Sequence, residues 1–485
     1  MKVGPPKRQN HRPAAIVIPG NRRMEVLTVD GSKTVTTGRK CAEAFAGLGG
    51  HVVFVLDQLQ TVTQTTGATA WKCHLWKGRP TRMIHQQSGT VVTSLRGTLE
   101  GTDDAWRDLS MVLDWLATYD VPTGSIPAMA WSLFRSSLPE TYTIGFDPVI
   151  SGQALFGGRQ EMRGGPRTYQ NARSYDVKSA YPVAMASRDY ALSLREIHVK
   201  SRLDPDASGL AEASIFVPHD LPFAPMPTRL APGFVSFQHG RVDGIWPWCE
   251  VAAAKAIGCD VKIRRLWGPA RTADLFGAWW PMVAEGRDLP GPAGVLAKAI
   301  SNSTWGQFGM KAEARAVRYF TDDSGNGFYE VPEPDHGLPH EWTAHIAAET
   351  TARIRTKMLL EGLYGLCSPV YVDTDGIIIE DGSPLPTGVG PRPGDWRLKA
   401  TMPVCDIRGP QFLRWTCGAG CGDSHAEWHY SCAGVSIEDA PAYFAQNRSG
   451  DIDVSWVRSF ATDTESNELQ RVALMGRQSL IQDRW

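Results

Sequence analysis

Cysteine is scarce in this chain, nine residues among 485. So thin a supply excludes the disulfide framework by which small secreted domains make up for a missing core. Long apolar runs are missing too: none reaches the roughly 20 residues that span a bilayer, and the first residues lack the apolar stretch of a secretory leader. The expectation is an intracellular, cytoplasmic protein without a membrane partner. Net charge is almost nil, with 50 Lys and Arg against 51 Asp and Glu. That excludes a global positive field, so any nucleic-acid surface must come from local clustering of basic residues. Internal repeats are absent as well, which excludes a solenoid.

What is present is the make-up of a large globular protein. The length exceeds what one core can organise and predicts two to four domains. Lys2, Lys7, Arg8 and Arg12 lie among Pro and Asn in the first dozen residues, a basic tail that is either solvated or a phosphate contact. Residues 14–18 and 51–56 are apolar runs of strand length, and 103–118 has the period of an amphipathic helix. Together they predict an α/β domain ending near residue 150. Residues 151–173 are rich in Gly and Arg and read as a boundary loop. Beyond it a strand runs into a helix over 173–187, and mixed strands continue to about 245. Helical pattern covers 247–257, 272–288, 293–306 and 342–361. Two short strands, 369–373 and 376–380, meet at a tight turn.

Three segments carry chemistry. Tyr371-Val372-Asp373-Thr374-Asp375-Gly376 places two carboxylates at a turn between apolar strands. Buried strand ends do not hold two ionised Asp without a compensating cation, and a divalent metal takes carboxylate oxygens. Tyr175-Asp176-Val177-Lys178-Ser179-Ala180-Tyr181-Pro182 ends another apolar strand in the same way. Taken alone, Asp-Thr-Asp is equally a hairpin turn with side-chain capping. In the third segment, Lys298, Asn302 and Trp305 fall on one face of a helix.

In order and spacing these segments resemble the A, B and C motifs of family B DNA polymerases: Asp-x-x-Ser-Leu-Tyr-Pro, Lys-x-x-x-Asn-Ser-x-Tyr-Gly and Tyr-x-Asp-Thr-Asp-Ser. Leu155-Phe156-Gly157-Gly158 resembles the family's linker motif, and Tyr430-Ser431-Cys432-Ala433-Gly434 the strand after its Lys-x-Tyr motif. The spacings and short length are most similar to the protein-primed branch of phages and linear mobile elements. The resemblance implies a right-hand α/β polymerase with palm at 151–245 and 311–410, fingers at 246–310, and a thumb or primer-contact region at 411–485. A degenerate exonuclease-like, RNase H-like domain would precede it over 1–150.

Carried over residue by residue, the resemblance implies that Asp176 and Asp373 hold two Mg²⁺ ions, for which Mn²⁺ can substitute. Asp375 assists, and the Val177 carbonyl is a further ligand. Tyr181 lies under the incoming sugar, with Ser179 beside it in the nucleotide pocket. Lys298 and Arg287 meet the triphosphate, Asn302 supports the pocket, and Trp305 packs near the nascent pair. Gly157, Gly158, Arg159, Thr374 and Arg414 approach DNA, Arg414 because Gln411-Phe412-Leu413 is a poor Lys-x-Tyr. The implied partners are primer-template DNA, dNTPs and a terminal protein primer, in a bacterial host cell.

Departures are Ala180, Trp305 and Gly376 where the family has Leu, Tyr and Ser. A larger one is the N-terminal region, where no Asp-x-Glu occurs in residues 1–60 and only Asp57 and Asp108 match exonuclease positions, with Asp30 the nearest first-strand acid. That implies lost proofreading. Cys417, Cys421, His425 and His429 have donor types that suit zinc, though the glycines among them equally suit a hairpin turn. The readings left open beside a replicative polymerase are a primer-making or lesion-bypass enzyme and an inactive DNA-binding relic.

Overall fold

The computed structural model describes residues 105–446, apart from 147, 164, 201–202, 232–233, 310–315, 322–326, 331–342, 366–368, 419–427 and 433–439, together with backbone strands nearer the N-terminus. It forms two compact units, each built from two chain segments: 1–145 with 274–343, and 146–273 with 344–485. These units cut across the sequence-based division at two places: residues expected to form fingers, 246–310, are split at 273/274, and the second palm segment, 311–410, at 343/344.

The first unit carries a nine-stranded sheet among the described residues. Pro13–Gly20, Arg23–Thr28 and Lys33–Thr36 run antiparallel in sequence order, and Val52–Val55 and Val91–Ser94 add in parallel on the other side of Pro13–Gly20. Trp71–Trp76 and Arg79–His85 extend this sheet, and Ala316–Thr321 and Gly327–Glu330 complete it at the far edge. The last two strands had been assigned by sequence to the second palm segment. A strand edge is a row of unpaired N–H and C=O groups, and Trp71–Trp76 offers one that the later strands take up.

The helices of this unit are Ala105–Thr118, Ile126–Ser136, Trp279–Arg287 and Gly291–Gly309. The sequence predicted a helix from 272. Instead Asp260–Ala273 is a long strand, and the helix starts only at Trp279. Asp274 enforces the break: its Oδ1 accepts from the backbone N–H groups of Phe276 (3.2 Å) and Gly277 (2.6 Å), an Asx turn. Gly291–Gly309 buries Ala293, Ala297, Ile300, Thr304 and Phe308, spaced three and four apart. Phe308 packs edge-on against Phe134 and Phe276 with centroids 5.1 and 5.7 Å away. Gly286 is required where it stands, since a Cβ there would lie 2.4 Å from the Trp115 ring. The Trp115 indole N–H in turn donates to the Met282 carbonyl.

The second unit holds a seven-stranded sheet made of β1 (Arg159–Met162), β2 (Arg167–Val177), β3 (Pro369–Thr374), β4 (Gly376–Ile379), β5 (Trp396–Gly409), β6 (Phe412–Trp415) and β7 (His429–Cys432). Its order is β1-β3-β4-β2-β5-β6-β7, antiparallel throughout. Strand β4 has no polar position after Gly376 because both faces are covered. Ile377 and Ile379 join a core with Val372, Trp396 and Met358, while Ile378 joins Tyr371, Met402 and Ile407 on the other side. Helices α1 (Ala180–Ala186), α2 (Trp248–Ala256) and α3 (Ala344–Lys357) belong to this unit. So does a second sheet, ordered Tyr190–Ile197, Asp260–Ala273, Leu210–Val217, Gly240–Pro247.

Helix α3 is polar yet buried, and its polar groups find partners. Arg355 grips Glu250 of α2 with two N–H···O bonds, 2.7 and 3.0 Å, and donates to the carbonyls of Phe156 and Gly157. Glu349 accepts from Ser208 Oγ at 2.6 Å, but its second oxygen is buried without a hydrogen bond. Burial pushes the Glu349 carboxyl up to about 8 from an ordinary 4.5. Between those values the folded chain keeps a proton that the unfolded chain has lost. The stability this provides is present below about 4.5 and lost as pH rises to about 8. Glu349→Gln removes the dependence. Its unfolding free energy relative to the parent should rise steadily between pH 5 and 8, by an amount on the order of 3 kcal/mol, read as a growing gain in melting temperature. Thermal scans across that range check it, and parallel curves for the two proteins would refute it.

Candidate active site

The motif residues converge on one row of the seven-stranded sheet. Cross-strand register pairs Gln160 with Asp373, Asp373 with Gly376, Gly376 with Asp176, and Asp176 with Arg397. Residues opposite one another in register share a face. The row therefore reads amide, carboxylate, gap, carboxylate, guanidinium, on the face that Tyr371 and Ile378 also occupy. Asp176 and Asp373 are two strands apart, about 9.6 Å between Cα atoms at ordinary strand spacing. Gly376, which departs from the family's Ser, puts no side chain between them.

Asp375 sits in the turn itself. Its carbonyl accepts from the Val177 N–H at 2.9 Å, so it lies one strand from the end of β2. By register it is thus nearer to Asp176 than Asp373 is. The Asp375 carboxyl is pushed up to about 6, by burial first and by the charge of Asp176 next, while Lys399 pulls it down and Asp373 adds a smaller upward push. The resemblance gave Asp375 an assisting role; the register places it next to the end of β2, beside Asp176.

Two residues here adopt left-handed backbone without being glycine: Thr374, φ 58°, and Ser179, φ 55°. For β-branched Thr that conformation is strained, and such strain persists where surrounding structure over-determines it. Gly158 supplies part of that surrounding, because a Cβ at 158 would come within 2.8 Å of the Thr374 side chain. The linker glycine thus has a packing reason to be glycine. Gly157 has open space at its Cβ position and is held through its carbonyl by Arg355. Arg159, expected at DNA, faces inward instead. It is 1% exposed, paired with Glu161 at 2.6 Å and stacked 4.2 Å over the Phe237 ring.

The carboxylates line a cavity of about 420 Å³, with Lys399, Gln411 and Trp415 also at its wall. Gln411 is brought there by Tyr371, whose hydroxyl oxygen accepts from the Gln411 backbone N–H at 2.7 Å. Gln160 Nε2 and Thr374 Oγ1 donate to Asp373 Oδ1 at 3.1 and 3.2 Å. Asp176 receives Arg397 at both oxygens, 2.7 and 3.3 Å. Sequence reasoning missed Arg397, Lys399 and Gln160. Only the alternation Arg397-Leu398-Lys399 hinted that two cations share a strand face.

Tyr181, on α1, packs against the core of Val372, Met358 and Trp396. Burial and then the charge of Asp375 push its hydroxyl up to about 12. Arg414 is bound to Asp406 at 3.3 Å and stacked 4.2 Å from the Trp428 ring. In the first unit, Lys298 and Asn302 are on the exposed side of Gly291–Gly309, with Trp305 half-buried. Arg287 Nη1 donates to Asn302 Oδ1 at 3.4 Å, which joins two of the residues assigned to the nucleotide.

The donor set suits a hard divalent cation. Three carboxylates and the Val177 carbonyl offer oxygen donors of the kind such an ion takes. Among the described residues no group of three or more His, Cys, Asp or Glu is drawn together to hold a metal ion. Asp176 is turned onto Arg397 instead. The same holds for the suggested zinc set: Cys421 and His425 lie outside the described residues, and His429 is on β7 with its ring stacked on Trp415.

No family model matches the chain, and no curated protein matches it in sequence. Solved structures do. Phi29 DNA polymerase complexed with primer-template DNA and incoming nucleotide substrates superposes with TM-score 0.68 at 13% identity, covering 91% of this chain and 96% of that one. Phi29 DNA polymerase complexed with single-stranded DNA gives TM-score 0.66 at 12% identity, with coverages of 90% and 95%. The chain has the fold of this protein-primed family B polymerase, which bears out the resemblance read from the motifs.

Proposed function

We propose that the chain is a DNA-directed DNA polymerase that extends a primer 3′-hydroxyl with dNTPs by two-metal phosphoryl transfer, primed by a terminal protein. The observation that carries this reading is the row of Asp176, Gly376 and Asp373, with Asp375 in the adjoining turn, on the fold of phi29 DNA polymerase. Asp176, Asp375, Asp373 and the Val177 carbonyl would hold two divalent ions, which when bound lower the pKa of the attacking hydroxyl and stabilise the departing pyrophosphate. Lys298 meets the triphosphate as a point charge and Arg287 as a second cation. Arg287 is positioned by its bond to Asn302. The Tyr181 ring fills the space a 2′-hydroxyl would need.

Primer extension on a defined template, with and without a terminal protein, tests the reading. Template-directed products are expected. Their absence with Mg²⁺ and with Mn²⁺, from protein that binds primer-template DNA, would favour an inactive relic.

The order of the N-terminal strands supports an RNase H-like domain, three antiparallel and two added in parallel. Proofreading is nonetheless expected to be lost. The region lacks Asp-x-Glu, and Asp108 is 3% exposed with one oxygen on Arg107 and the other without a hydrogen bond. Asp30 and Asp57 lie outside the described residues. Two-metal hydrolysis needs carboxylates enough to clamp both ions. A 3′-mismatched, end-labelled primer should therefore stay intact in Mg²⁺ without dNTPs. Shortened products that vanish on Asp57→Ala would show a working exonuclease.

A further inference from the structure

We propose that Arg397 is a positioning residue that holds the Asp176 carboxylate while no metal is bound and must release it for a divalent ion to enter. The inference rests on the polymerase reading, since it takes Asp176 for a metal ligand. Arg397 stands directly across from Asp176 in the β2–β5 ladder. One planar guanidinium occupies both carboxylate oxygens, Nε on Oδ1 at 2.7 Å and Nη2 on Oδ2 at 3.3 Å. Those oxygens are the ones a metal would use, so the two cations compete for the same lone pairs.

The pair is built for one partner to leave. The Arg397 side chain is 48% exposed and the Asp176 side chain 15%. The guanidinium can swing into water at little cost, whereas the carboxylate is fixed at the end of β2. Lys399, two residues along the same strand, lines the same cavity. With Arg397 in place, three carboxylates face two cations; with it swung out they face one. The local charge balance then favours a divalent ion only after Arg397 has moved.

The test is Mn²⁺ binding to the full chain, followed by electron paramagnetic resonance of the free ion, without DNA or nucleotide. The proteins compared are the parent, Arg397→Gln, Arg397→Lys, and Asp176→Asn in the parent and Arg397→Gln backgrounds. Circular dichroism and the thermal midpoint establish that each is folded. Arg397→Gln is expected to bind Mn²⁺ at least about tenfold more tightly, a change of about 1.4 kcal/mol. Arg397→Lys keeps the charge but cannot grip both oxygens, so it should fall between. Asp176→Asn should erase the difference. Equal, Asp176-dependent binding in the parent and Arg397→Gln overturns the proposal while leaving the polymerase reading intact. Should Arg397→Gln not fold, parent-like affinity in Arg397→Lys overturns it equally. If neither parent nor variant binds Mn²⁺ through Asp176, the metal reading itself fails and the proposal with it.

Discussion

Asp176→Ala and Asp375→Ala should each lower nucleotide incorporation by more than about 10³-fold, on the order of 4 kcal/mol of barrier. Primer-template affinity should stay within about threefold of the parent, well under 1 kcal/mol. Both residues stand at the end of β2, one on the strand and one in the turn that hydrogen-bonds to it. Removing either takes charge from the place where the phosphoryl transition state needs a metal held. Asp373→Ala should also be defective, but less so, because its carboxylate is two strands from Asp176 and already bound by Gln160 and Thr374. Single-turnover incorporation and a gel shift on the same preparations measure both quantities. Full activity in either of the first two variants would remove the carboxylate row from the chemistry. A deeper loss for Asp373→Ala than for Asp375→Ala would reverse the ranking drawn from the register.

The motifs made the site legible because they are local. Apolar runs ending in acid, Tyr371-Val372-Asp373 and Tyr175-Asp176, can be read from single segments, and the strands and turn formed where they predicted. Helical spacing put Lys298, Asn302 and Trp305 on one face of Gly291–Gly309, where Lys298 and Asn302 are exposed. What sequence could not show was register. That Arg397 faces Asp176 depends on how β5 slides along β2, and a shift of one residue would have sent its side chain to the other face. Arg159 failed for a related reason. A Gly- and Arg-rich stretch suggests a loop open to DNA, but the Arg159 guanidinium is buried, paired with Glu161 and stacked over Phe237. The strand Asp260–Ala273 lies mostly in a stretch that the sequence left unassigned, and the helix expected from 272 starts later because nothing in the pattern announced the Asx turn at Asp274. The pairing of Ala316–Thr321 with Trp71–Trp76 was not legible because it joins segments more than two hundred residues apart.

Tyr181→Val should admit ribonucleotides, cutting discrimination against rNTPs by about 10²-fold or more, roughly 3 kcal/mol, with dNTP incorporation reduced far less. The reason is rigidity. The ring is carried on α1 directly after Ser179, whose left-handed backbone fixes how the helix leaves β2. It is backed by Val372, Met358 and Trp396, a core with no room for the ring to retreat. Its hydroxyl, pushed up to about 12 by burial and by Asp375, is neutral at any working pH, so it excludes by volume and not by charge. A 2′-hydroxyl is the one added atom by which a ribonucleotide differs at the sugar, and a ring that cannot move meets it as a clash. Valine keeps the apolar packing but opens that volume, so the variant should remain folded. Single-nucleotide insertion with matched dNTP and rNTP, in parent and variant, gives the two ratios. An unchanged ratio would place the sugar gate on another residue, and a variant equally impaired with both substrates would make Tyr181 a support for the nucleotide instead of a filter.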